Sequence, residues 1–352
     1  MIKICYPQVY ETYICKLIYS LPSIIQKDCK QNSMNQIVII RNYSELGAGT
    51  RGASLGPEAI EVAAMNRNNP FFSKFENIEL RPLNNFFYEK VTTPYAKHVE
   101  GIVKIYEDVS KHVCKTITDG NFPFIMAGDH SSAGGTIAGV KKAFPDQKIG
   151  VVWIDAHGDL HSPYTSPSGN VHGMPLATAL AVDNKKYALN QVVDETKDYW
   201  EYLKNIHGIA PKILPENLIF FGVRDTELPE DMLMDELGIR NFTVDEIKKK
   251  GAIRSAREAI DLLNDCDKIY ISFDVDVMDC DKISHGTGTP VPNGILQPQV
   301  IDIIREFLNT GKVCCFEVVE VNPTLDEKKN AMAEAAFDVI EALTPNFLQF
   351  TK

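Results

Sequence analysis

Six short runs, almost wholly apolar and rich in β-branched residues, most limit what this chain can fold into. They are Ile37 to Ile40, Phe122 to Met126, Ile149 to Ile154, Leu218 to Phe221, Ile269 to Phe273 and Val313 to Val319. Between them lie longer segments of helical period. Ile102, Ile105, Val109, Val113 and Ile117 fall on one stripe, Ile253, Ala256, Ile260 and Leu263 on another, and Met332, Ala336, Val339 and Leu343 on a third. A strand that is apolar on both faces must be covered on both faces, so the alternation specifies an α/β fold with a parallel sheet between layers of helices.

The length of 352 residues corresponds by itself to about two domains. No repeat or low-complexity linker marks a boundary, however, and the most polar stretch, Asp183 to Glu216, reads as an insertion or a surface helix with loops. A cut there would divide the strands into two sets, neither able to make a sheet. Residues 34–352 therefore read as one domain, with residues 1–33 an appendage, because Met34 opens a cleaner strand than Met1 does. The apolar stretch from Tyr13 to Ile25 is interrupted by Lys16 and has no small-residue cleavage site after it, which argues against a secretory leader. Nothing reaches the ~18 uninterrupted apolar residues of a membrane span. Eight cysteines without a CxxC pair read as reduced thiols, so a cytoplasmic location is expected. A net charge of -11, from 47 acids against 36 bases, argues against nucleic acid as a partner and leaves a small molecule as the expected one.

Polar clusters follow three of the apolar runs directly. Ala127-Gly128-Asp129-His130-Ser131 follows the second, Asp155-Ala156-His157-Gly158-Asp159 the third, and Ser272-Phe273-Asp274-Val275-Asp276 closes the fifth. Parallel sheets collect ligands beyond the carboxyl ends of their strands. In extended backbone, side chains at i, i+2 and i+4 share a face, so Asp155, His157 and Asp159 can converge, as can Asp274 and Asp276, with His130 added from a neighbouring strand. Four crowded carboxylates cannot all stay ionised without a cation. Two divalent ions would balance four Asp charges, with His130 and His157 as neutral donors. Oxygen-rich ligation with some imidazole suits Mn²⁺, Fe²⁺ or Co²⁺. The remaining coordination positions leave room for a bridging water of lowered pKa, a hydrolase's nucleophile. Single acids after strands are more often caps, and Asp129 and Asp279 are read that way.

These three blocks, in this order, resemble the signatures of the arginase and agmatinase family of binuclear manganese ureohydrolases, over a stretch from about Met34 to the C-terminus. The resemblance implies a three-layer αβα sandwich on a mostly parallel, eight-stranded sheet. It also implies two Mn²⁺ per subunit, held by His130, Asp155, His157, Asp159, Asp274 and Asp276, with Asp155 and Asp274 bridging. Ser166 to Gly173 resembles the arginase segment in which a Ser and an Asn, here Ser168 and Asn170, hold the substrate's α-carboxylate. His172 on the same loop resembles the proton shuttle. Glu227, in Phe221 to Glu227, stands where the family's acid for the α-amine is usually Asp. Glu320, in Glu-Val-Asn-Pro, resembles the acid that pairs with the guanidinium, with Glu317 the neighbouring candidate. Thr289 resembles a hydroxyl near the same end.

Three positions depart from the common pattern: His161 where many arginases have an Asn on the α-carboxylate, Ala127 for a glycine, and Cys280 for a proline. His161 and Glu227 together resemble a bacterial branch that includes the Helicobacter arginase, in which Co²⁺ can replace Mn²⁺. The expected reaction is hydrolysis of L-arginine to L-ornithine and urea, with a metal-bridging hydroxide as nucleophile and Asp159 relaying a proton to the departing amine. The alternatives are an agmatinase, guanidinobutyrase or formiminoglutamase, a one-metal deacylase on a related sheet, and a non-catalytic relative. Relatives are commonly homotrimers or hexamers, so a homo-oligomer is expected, although a monomer is also compatible with the sequence.

Overall fold

The structure is a computed structural model and describes residues 36–351. The expected appendage, residues 1–33, lies outside the described residues. Eight strands form one sheet: β1 (Ile37–Asn42), β2 (Glu76–Leu80), β3 (Phe122–Ala127), β4 (Ile149–Ile154), β5 (Leu218–Phe221), β6 (Arg240–Phe242), β7 (Lys268–Asp274) and β8 (Val313–Val319). Their order is β2-β1-β3-β8-β7-β4-β5-β6, and every pairing is parallel. The expected α/β sandwich is therefore present, with a sheet parallel throughout.

All six apolar runs are strands. The two strands without such a run, β2 and β6, are the two edges of the sheet. β2 reads Glu-Asn-Ile-Glu-Leu and β6 reads Arg-Asn-Phe. An edge strand covered on fewer sides needs no continuous apolar run, which is why periodicity alone passes over both.

Along the central strands, successive side chains enter opposite cores. On β3, Phe122, Phe124 and Met126 join one apolar cluster, and Ile125 and Ala127 join the other. The first core is closed by the helices Gly56–Asn66, Ala252–Leu262, Gln297–Leu308 and Ala331–Phe347. The second is closed by Val99–Thr118, Ala133–Ala143, Pro175–Leu180 and Asp194–Lys204. Each fully buried Ile, Val or Phe contributes about 1.5–3 kcal/mol from area removed from water, so only the strands in the middle of the sheet can carry apolar residues on both faces. Of the stripe expected over 253–263, Ala256 and Leu263 are buried and Ile260 packs against the core, whereas Ile253 is exposed and Ala252 and Ala259 face inward in its stead. The polar stretch after Asp183 contains the helix Asp194–Lys204, which buries Trp200 and Leu203.

Consecutive strands β3 and β4 are not neighbours, since β8 and β7 lie between them. A chain that leaves β3 for the far side of the sheet opens a crevice at the carboxyl ends of the strands. The polar clusters meet there.

Candidate active site

The extended-backbone argument predicts the convergence of the acids but not its cause. β4 stops at Ile154, and the Asp155 carboxylate Oδ1 accepts from the His157 N–H at 2.7 Å, turning the chain back. Asp274 does the same at the end of β7, where its Oδ1 accepts from the Asp276 N–H at 2.8 Å. Side-chain-to-backbone turns of this kind bring i and i+2 side chains to one point more tightly than a strand does. Asp159 completes its loop in the left-handed region, at φ 50°. His130 comes from the short 3₁₀ turn after β3, whose start is capped by Asp129 through the Ser131 N–H at 2.7 Å. Asp129 thus has the turn role expected of it.

His130 Nδ1 lies 3.0 Å from Asp155, 3.1 Å from Asp159 and 3.1 Å from Asp274. His157 Nδ1 lies 3.0 Å from Asp276 and 3.5 Å from Asp155. Two sets of ligand atoms result, His130 with Asp155 and Asp159, and His157 with Asp155 and Asp276, each within 4.8 Å and with Asp155 common to both. Behind the first set, His130 Nε2 is 2.8 Å from Ser272 Oγ and its ring stacks on Trp153 with centroids 4.0 Å apart. Behind the second, Asp276 Oδ1 accepts from the Ala156 N–H at 3.1 Å, and Asp225 is 3.7 Å from His157 Nε2.

The electrostatics of this cluster favour a cation among its acids. Burial and the charge of Asp155 push Asp159 up to about 7, and burial with neighbouring carboxylates raises Asp274 and Asp276. Although burial opposes it, the two imidazoles hold Asp155 well below the usual range. His130 Nδ1 and Asp155 Oδ2 are buried without a conventional hydrogen-bond partner, facing each other across the cluster. Oxygen and imidazole donors crowded this closely fit two hard divalent cations, which would relieve the repulsion among the acids and use the atoms left unpaired.

The cluster floors a cavity of about 270 Å³, the scale of a small molecule. Its wall includes Ser168 and Asn170, His161, Glu227 and Glu230, His172 and Thr289. The loop Ser166 to Gly173 is fixed at Gly169, at φ 73°, where a Cβ would stand 1.9 Å from the Pro94 carbonyl. Ser168 Oγ accepts from the Asn170 N–H at 3.1 Å, and Asn170 Oδ1 accepts from Lys97 at 3.2 Å. Thr289 donates to Asp276 Oδ2 at 3.2 Å. Glu320 is buried and lies outside the cavity lining, yet its Oε1 is shared by the His130 N–H at 2.9 Å and by His172 Nδ1 at 3.2 Å, while Oε2 is unpaired. Burial opposes the His172 cation, but Glu320 outweighs it and raises His172 to about 9. Glu317, the neighbouring acid, is taken by the Tyr270 hydroxyl inside the sheet.

The arginase family model matches residues 35–344. The chain belongs to the arginase family. An arginase of Bacillus subtilis (strain 168) is 34% identical over 309 residues, which cover 87% of this chain and 97% of that protein. A crystal structure of arginase from Bacillus subtilis matches with a TM-score of 0.72 at 32% identity, covering 88% of this chain and 98% of that one. The Entamoeba histolytica arginase, solved in complex with L-ornithine, matches with a TM-score of 0.72 at 26% identity, covering 89% and 99%. The Helicobacter pylori arginase shares the fold at 24% identity, with a TM-score of 0.71 over 88% and 99%.

Against the usual arginase-family pattern, the unusual pair His161 and Glu227 meet. His161 Nε2 is 2.8 Å from Glu227 and 3.3 Å from Glu230, and its Nδ1 is 3.1 Å from Thr165 Oγ1. Both ring nitrogens are thus engaged by the protein. Burial opposes its charge, but the two acids raise His161 to about 9. Glu230 is the residue that sequence reasoning missed. It sits at the third position of the helix Leu228–Leu237, in a reciprocal capping box with Glu227, and also accepts from the Leu160 N–H at 3.0 Å. The acid-x-x-acid spacing before a helix is the signal that could have found it. Asp225 and Ser272, which back the two imidazoles, were not singled out either.

Proposed function

We propose that this chain is a binuclear-metal arginase that hydrolyses L-arginine to L-ornithine and urea. The observation that carries the reading is one constellation: six donors around a shared Asp155, at the floor of a cavity whose wall holds hydroxyl and amide groups on one loop and carboxylates on another. His130, Asp155, Asp159 and Asp274 would hold one ion and Asp155, His157, Asp274 and Asp276 the other, with Mn²⁺ the first choice and Co²⁺ the second. When bound, the two ions would activate a water toward the guanidinium carbon and stabilise charge on the tetrahedral intermediate.

The side chains do the rest. The unpaired Glu320 Oε2 accepts from the guanidinium, in reach of the loop that carries His130. Ser168 and Asn170 donate to the α-carboxylate, and Glu227 and Glu230 accept from the α-ammonium. Because His161 already ties those two acids together, it acts as their positioning residue. Asp159 passes a proton to the departing amine, and His172, held by Glu320, exchanges it with solvent. The presence of L-ornithine in the Entamoeba relative supports an amino acid at this end of the cavity. The test is hydrolysis measured in parallel on L-arginine, agmatine, 4-guanidinobutyrate and N-formimino-L-glutamate. L-Arginine should have the highest kcat/KM, and a higher value for any of the other three overturns the substrate assignment.

A further inference from the structure

A second group of metal-ligating side chains stands on the segment that leaves the ligand turn of β7. Cys280 Sγ, a carboxylate oxygen of Asp281 and a ring nitrogen of His285 all lie within 4.8 Å of one another. Backbone bonds hold them there. The Asp279 carbonyl accepts from the N–H groups of Lys282 at 3.1 Å and Ile283 at 3.0 Å, and its Oδ1 accepts from the Asp281 N–H at 3.2 Å. Further along, Ser284 Oγ accepts from the Gly286 N–H at 3.1 Å, and Lys328 pins the Ile283 carbonyl at 2.8 Å. Residues 280–285 therefore form a closed turn. Cys280 is buried at its floor, and the Asp281 and His285 side chains, 64% and 48% exposed, open to solvent. His285 Nε2 is 3.9 Å from Asp281 Oδ1. Bonds of about 2.1 Å to a tetrahedral ion need these atoms roughly 3.4 Å apart, a gap that two exposed side chains close by small rotations.

We propose that Cys280, Asp281 and His285 form a third metal site, separate from the six-donor centre, that takes one thiophilic divalent ion of the Zn²⁺ class with water in the fourth position. One thiolate, one imidazole and one carboxylate select such an ion over Mn²⁺, because the sulfur is soft and the ligand count is low. On binding, the Cys280 thiol gives its proton to solvent and the sulfur takes the ion. The same segment runs on to Thr289, whose hydroxyl donates to Asp276, and the Gly286 carbonyl accepts from the Asn322 N–H at 2.8 Å, two residues beyond Glu320. An ion that locks residues 280–285 thereby stiffens the strap between the two centres. The inference is independent of which guanidino compound is the substrate.

The test uses the full chain loaded with Mn²⁺, with Cd²⁺ as the probe. Cadmium bound to a thiolate gives an ultraviolet charge-transfer band, and none of the six donors of the other centre is a sulfur. The band should saturate at one equivalent per chain and vanish in Cys280→Ser. His285→Ala and Asp281→Asn should each weaken Cd²⁺ binding by about tenfold or more. A missing band, or one that persists in Cys280→Ser, overturns the proposal. So does a site whose affinity is unchanged by either exposed substitution, since that would be a lone thiol. Should Cys280→Ser not fold, the two exposed variants decide the matter alone.

Discussion

At the scale of single residues, the centre depends heavily on Asp155, which with Asp274 is one of the two acids assigned to both ions and lies fully buried between two imidazoles. Asp155→Asn should lower the metal content below two ions per chain, measured by atomic emission, and reduce turnover at least ~100-fold, since removing even an outer-shell partner costs about 10–100-fold. At the other end of the cavity, Ser168→Ala combined with Asn170→Ala should raise KM for L-arginine by about tenfold or more while changing kcat much less. Each hydrogen bond to a charged group contributes roughly 1.5–3 kcal/mol, and these bonds act on the substrate end remote from the reacting carbon. Steady-state kinetics separates the two constants, and an equal fall in kcat would reject the assignment. Asp155 was singled out in the sequence by the type and spacing of its block, and Ser168 and Asn170 by the family resemblance of theirs. Glu230 was not, because its role comes from a helix cap that places it beside His161, a contact 69 residues apart in sequence.

Elements differ in how far their sequence announces them. β3 is anchored by Phe124, whose ring meets Phe71, Phe72, Phe316 and Phe347. Phe124→Ala should cost about 3–5 kcal/mol in denaturant unfolding, the usual cost of a large cavity in a close-packed core. Glu76→Gln on the edge strand β2 should stay within ~0.5 kcal/mol, because that side chain is exposed. The same contrast explains why six strands were readable and two were not: apolar runs are enforced where both faces are covered and optional at the edges. The segment after the helix Pro175–Leu180 supplies a pH-dependent case. Burial opposes the charge of Asp183, but Lys185, Lys204 and the Trp200 indole hold its pKa below the ordinary 3.8. A carboxylate with a depressed folded-state pKa contributes stability that is present above the unfolded value and lost as pH falls through the folded one. Stability of the chain should therefore drop in acid below about pH 4, partly through this group, and Asp183→Asn should flatten that portion of the profile while costing about 1–3 kcal/mol near pH 7.

Over the whole molecule, the metals and the fold are coupled. Crowded acids that are pushed up towards neutrality without a cation disfavour the folded state, and ions that bind only the folded chain add stability by mass action. Chelation should lower Tm, and Mn²⁺ at about a hundredfold excess over its Kd should restore about 2.7 kcal/mol per site. A melting temperature indifferent to chelator and Mn²⁺ would remove the binuclear reading. The sequence by itself determined the α/β class, the six central strands and the identities of the acids and imidazoles. Each follows from local pattern: apolar continuity where both faces are covered, and charge that must be balanced where four acids crowd. Only the tertiary structure decided the strand order that separates β3 from β4, the turns at Asp155 and Asp274 that aim the donors, and the closure of His161 onto Glu227 and Glu230. Those depend on contacts between segments far apart in the chain, and neither side-chain period nor composition carries information about them.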